Sequence, residues 1–151
     1  MRLRLTLILI ILSLCMSAEA VTRQEVSENK KLISSAKELM LVDQFNGATL
    51  CGFVSLSLGN SGHGEQHSGN AFNIGLNEGF DYPEVMTAMA FLLQTYKARL
   101  DAYADGLIDG FKQAAPTRKH PPAYKTSITN MMLDRWHESN KCSDARVNSR
   151  Y

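Results

Sequence analysis

The sequence predicts an all-α fold: a small bundle of about four helices, one long Gly/Asn-rich loop and one disulfide. Three observations predict it. Apolar residues recur at three- and four-residue spacing along most of the chain. The single alternating run, Val54 to Leu58, has no second strand-like segment to pair with, so residues 48 to 58 are assigned to helix. Two cysteines, Cys51 and Cys142, remain once the N-terminal segment is set aside.

That segment reads as a cleaved secretory signal. Arg2 and Arg4 form a positive n-region, Leu5 to Met16 is an apolar run, and Ala18-Glu19-Ala20 offers a small-x-small cleavage pattern. The run is shorter than the roughly 20 residues a spanning helix needs, so the mature chain is not expected to span a membrane. Cys15 lies inside the run and follows Leu14, where a lipoprotein signal places a small residue. The expected organisation is residues 1–20 as signal, 21–142 as one helical domain and 143–151 as a flexible tail. The compartment is then periplasmic or extracellular, where Cys51 and Cys142 are expected to be bridged. Closing so long a loop contributes about 4–5 kcal/mol by the chain-entropy argument.

Residues 25 to 45 carry helical periodicity through Val26, Leu32, Ala36, Leu39 and Phe45, and Asn46-Gly47 reads as a stop. Six of the ten glycines then fall between Gly59 and Gly79, among several asparagines, which predicts a loop. Asp81-Tyr82-Pro83-Glu84 opens a long helix ending before Pro116. Its apolar seam is read as Met86, Met89, Leu93, Tyr96, Leu100, Tyr103 and Leu107. A last helix spans about Tyr124 to Asn140.

Composition limits the function classes. The whole chain has 16 Lys+Arg against 15 Asp+Glu, and losing Arg2, Arg4 and Glu19 leaves the mature chain neutral, which gives no support to nucleic-acid binding. No phosphate loop, Cys-x-x-Cys pair or Gly-x-Ser-x-Gly elbow occurs; Gly59-Asn-Ser61-Gly-His63 has a histidine where the last glycine belongs. No cofactor is expected.

Three constellations remain. Ala98, Ala102, Gly106, Gly110 and Ala114 form a small-residue row that can seat a helix, of this chain or of a second copy. Asp101, Asp105 and Asp109 form an adjacent acidic row, a candidate face for a basic partner unless Lys97, Lys112 or the basic last segment neutralises it. His63, Glu65 and His67 supply zinc- or copper-type ligands. The reading is an exported, non-enzymatic protein that binds another macromolecule: an inhibitor, an immunity-type protein or an accessory subunit of an envelope assembly. A periplasmic metal-binding protein using His63, Glu65 and His67, and a small carboxylate-dependent hydrolase, are the alternatives.

Overall fold

In the computed structural model, residues 24–117 and 123–142 are described; the expected signal, the expected tail and most of the basic link before the last helix lie outside them. The described chain is helical throughout: α1 (Gln24–Leu39), α2 (Asp43–Ser57), α3 (Ser61–Asn77), α4 (Tyr82–Ala114) and α5 (Ala123–Ser139). The helix count is therefore five, because the first predicted helix is two. The chain turns by 88° between α1 and α2. Leu41 and Val42 close the end of α1 through their N–H groups to Glu38 and Leu39. Asn46, expected as a stop, lies inside α2, and its side-chain amide donates back to the Met40 carbonyl at 3.2 Å. It caps the helix before it.

The expected Gly59–Gly79 loop is corrected to α3, a 17-residue helix. Both bounding glycines are helix terminators. Gly59 (φ 82°) follows α2 and Gly79 (φ 91°) follows α3, each in the left-handed region, with six-residue and four-residue backbone bonds closing the end. Of the four glycines between them, Gly64 and Gly75 serve close approach, while Gly62 and Gly69 face open space. A Cβ on Gly64 would meet Leu56 Cγ at 2.4 Å, and one on Gly75 would meet Val85 Cγ2 at 2.7 Å. Across the same contact, a Cβ on Gly52 of α2 would meet Ser68 Oγ at 2.7 Å. Composition that reads as a loop is here a helix with its bulk removed on one side.

The long helix α4 begins with a reciprocal capping box. The Glu84 N–H donates to the Asp81 carboxylate at 3.0 Å, and the Asp81 N–H donates to Glu84 at 2.9 Å. That bond, with help from the Ser35 hydroxyl and Lys31 on α1, holds the Glu84 carboxyl below the usual range. The buried stripe of α4 is Val85, Ala88, Leu92, Tyr96, Leu100 and Ala104. It shares Tyr96 and Leu100 with the predicted seam, but Met86, Leu93 and Tyr103 face solvent. Steps of four residues drift by about 40° around a helix. The stripe therefore winds, meeting α3 at Val85, α2 at Tyr96 and α5 at Leu100. A straight heptad seam assumes one fixed partner.

The core has two parts. The larger gathers Ala36, Leu39, Phe45, Ala48, Ala71, Ile74, Val85, Ala88, Leu92 and Tyr96; the smaller gathers Val54, Leu100 and Leu133. Leu50, Phe53 and Trp136 touch both. At the join, the Tyr96 hydroxyl lies 2.6 Å from Asn46 Oδ1 and 3.0 Å from its backbone carbonyl. Burial pushes the Tyr96 phenol up to about 12, against a smaller downward pull from Arg99.

Two measurements follow. Gly75→Ala meets Val85, a buried β-branched side chain with little freedom to move, and should lose about 1–3 kcal/mol in urea unfolding. Gly106→Ala meets nothing within 4 Å and should gain up to about 1 kcal/mol from helix propensity. Equal effects would remove the close-packing account. For Tyr96, an unfolded phenol titrates near 10 and the folded one higher, so its stabilisation is complete below about pH 10 and declines above it. The stability difference between wild type and Tyr96→Phe should shrink by about 2–3 kcal/mol from about pH 10 to 12. A pH-independent difference would contradict the burial of this hydroxyl.

Candidate interaction surfaces

Cys51 on α2 and Cys142, three residues past α5, are joined, with Cα atoms 5.1 Å apart and a sequence separation of 91. The count of two remaining cysteines predicts the pairing, and the fold brings the two ends together. Cys142 arrives there because α5 ends as α2 and α3 do. The Cys142 N–H donates to the His137 carbonyl and the Lys141 N–H to Glu138, with Lys141 at φ 53° where the other two helices use glycine. Both sulfurs are buried, so the bridge is structural and leaves neither cysteine free as a nucleophile.

His67 completes this junction and leaves the metal trio. Its Nε2 lies 2.7 Å from the Cys142 carbonyl, an acceptor only, so Nε2 carries the proton and donates. The ring is fully buried, and Nδ1 has no partner. His63 sits one turn earlier, its Nδ1 3.2 Å from the Asn60 side-chain amide at the start of α3. Glu65 is exposed, two residues from each histidine and therefore on the far side of the helix. His63, Glu65 and His67 do not converge. Among the described residues no three His, Cys, Asp or Glu side chains are grouped to hold a metal ion.

The small-residue row is open. Ala98, Ala102, Gly106, Gly110 and Ala114 are exposed, and neither glycine has an atom within 4 Å of where a Cβ would stand. The expected close-packed helix of the same chain is absent there among the described residues. The tight seam belongs to α2 and α3. Its signal was present in the sequence as Ala48, Gly52 and Ser55 facing Gly64, Ser68 and Ala71, small residues at three- and four-residue steps.

The acidic row is neutralised in part from within. Lys125 of α5 reaches Asp105 at 2.7 Å, and Lys112 reaches Asp109 at 3.1 Å. The Lys125 ammonium is held above its usual range, first by that hydrogen bond and then by the charges of Asp105 and Asp101. All four paired side chains are well exposed, so these pairs contribute little to stability. The Lys125–Asp105 pair joins α5 to α4, together with an edge-on contact between Phe111 and Tyr124.

A cleft that single-residue reading did not single out lies between α4 and α5. Tyr103, Met132, Arg135, Trp136, Glu138 and Ser139 line about 560 Å³ of open space. Tyr103 is 40% exposed, while Trp136 is anchored by contact with both core clusters. No sequence signal marks it, because Tyr103 and Trp136 meet only once α5 is laid against α4. Compared with protein-family models, curated proteins and solved structures, the chain shows no match.

The disulfide account predicts that the double variant Cys51→Ala, Cys142→Ala loses about 2–5 kcal/mol and unfolds first around α5 in hydrogen exchange. A double variant with unchanged stability would reduce the bridge to an incidental contact.

Proposed function

We propose that this is an exported, non-enzymatic protein that binds another macromolecule, and that the α4–α5 cleft is a contact surface. The single observation carrying the reading is the cleft's composition. Trp, Tyr and Arg dominate the energetics of protein interfaces, and Met is enriched there, because they supply large contact area with few freely rotating bonds or adaptable apolar bulk. Trp136, Tyr103, Arg135 and Met132 stand together around one open concavity. Among the described residues, the side chains of Arg135 and Glu138 form no ion pair, so both are available at its rim. Export rests on the Arg2 to Ala20 segment, and a buried disulfide is compatible with an oxidising compartment. The open row from Ala98 to Gly110 adds accessible helix surface on α4.

A photo-crosslinking residue placed at Tyr103 and, separately, at Gly62 tests this in the organism's own envelope and secreted fractions. The Tyr103 probe should capture one protein species, the Gly62 probe should not, and Arg135→Ala should abolish capture while leaving the melting temperature unchanged. Equal capture at both sites, or none, would refute the cleft as the contact surface. Because Trp136 is the chain's one tryptophan, its fluorescence should also shift when the purified partner is added.

A further inference from the structure

On the side where α1 and α2 flank α4, two troughs run on either side of Gln94. One, about 460 Å³, is lined by Phe53, Leu56, Leu93 and Lys97; the other, about 380 Å³, by Lys37, Met40, Phe91 and Thr95. Both are mainly apolar. Leu56 is 49% exposed and Leu93 38% exposed, and Leu41, beside Met40, is 81% exposed. Each trough carries one lysine and no carboxylate, and among the described residues neither lysine is in an ion pair. Of the acidic row on α4, Asp105 and Asp109 are engaged with Lys125 and Lys112, and none of its members lines either trough. The charge lining this apolar face is positive.

We infer that this face is a second docking site, independent of the α4–α5 cleft, and that its occupant is an amphipathic helical segment of a protein whose apolar stripe is flanked by Asp or Glu. Charge complementarity selects the sign: seating an apolar segment here desolvates Lys37 and Lys97, which only a carboxylate-bearing partner satisfies. Shape selects a helix. Troughs flanking a ridge accept the rows of side chains on a helix surface, whereas a lipid surface requires a convex apolar face. Laying apolar residues three and four apart into such troughs is a recurring mode of peptide recognition.

The probe is a synthetic amphipathic peptide about 18 residues long, long enough to hold a helix, with a leucine stripe flanked by glutamates. A control peptide carries lysines in place of the glutamates. Amide chemical-shift mapping on the folded, disulfide-bonded protein should place the glutamate peptide against Phe53, Leu56, Leu93 and Met40, with α5 unaffected. The lysine peptide should bind at least about tenfold more weakly. Lys37→Glu with Lys97→Glu should reverse that preference while the melting curve stays unchanged, both side chains being exposed. Equal binding of the two peptides, shifts that map to α5, no binding, or binding to anionic vesicles without binding of the peptide would each overturn the assignment. Each is distinguishable from failure of the cleft, which is read out at Tyr103 and Arg135.

Discussion

Gly52 and Gly64 place almost no side chain between α2 and α3, and the two helices approach until Leu56 rests against the Gly64 backbone. The geometry of the larger core follows from that contact. Held so close, α2 and α3 present one continuous wall: Phe45 and Ala48 from one helix, Ala71 and Ile74 from the other. Leu39 and Val85 fill it from α1 and α4, and both lie near Gly75. A methyl group on any of these three glycines would separate the helices and misplace the surfaces that α1 and α4 pack against. The low helix propensity of α3, with four glycines in seventeen residues, is the cost of this arrangement.

That trade explains which parts of the fold were legible. The long helix, the last helix and the disulfide could be read from simple signals: Pro83 with acids in the first turn, apolar periodicity, and two cysteines left once the signal-like N-terminal segment is set aside. The α3 helix could not. Propensity and composition both speak for a loop between Gly59 and Gly79, and only packing against α2 reverses them. The seam on α4 was half legible for a related reason. Hydropathy ranks Met86 and Leu93 above Ala88 and Ala104, but close neighbours favour the small side chain at a contact and leave the large one outside. The same bias hid the tight seam and drew attention to Ala98 to Ala114, which is small but exposed.

Of the candidate site residues, the cysteine count located Cys51 and Cys142 as a pair. The sequence could not show that His67 points inward to the Cys142 carbonyl, because that bond joins residues 75 apart in sequence. Nor could it show the α4–α5 cleft, whose lining comes from two helices and depends on their antiparallel register. That register is fixed by Phe111 against Tyr124 and Asp105 against Lys125 at one end, and by Leu100 against Leu133 further along. The two surfaces argued for binding therefore differ in origin. The cleft is made by pairing α5 with α4. One apolar trough is made by the bend at Met40 to Val42, which brings Lys37 and Met40 alongside the middle of α4, and the other by α2 against α4.

The bond from His67 to Cys142 has a consequence for the order of events during synthesis. Residues 24 to 117 contain four of the five helices, the larger core and all three close-approach glycines. Yet within that length His67 has no acceptor for its ring N–H, Cys51 has no partner, and Leu100 lacks the apolar neighbour that Leu133 provides. A nascent chain that has emerged only this far can assemble its helices but holds a polar ring and a thiol facing an uncovered hollow. Residues 123 to 142 are the ones that cover it. The first four helices alone therefore leave an imidazole and a thiol without the partners that α5 and the turn after it bring.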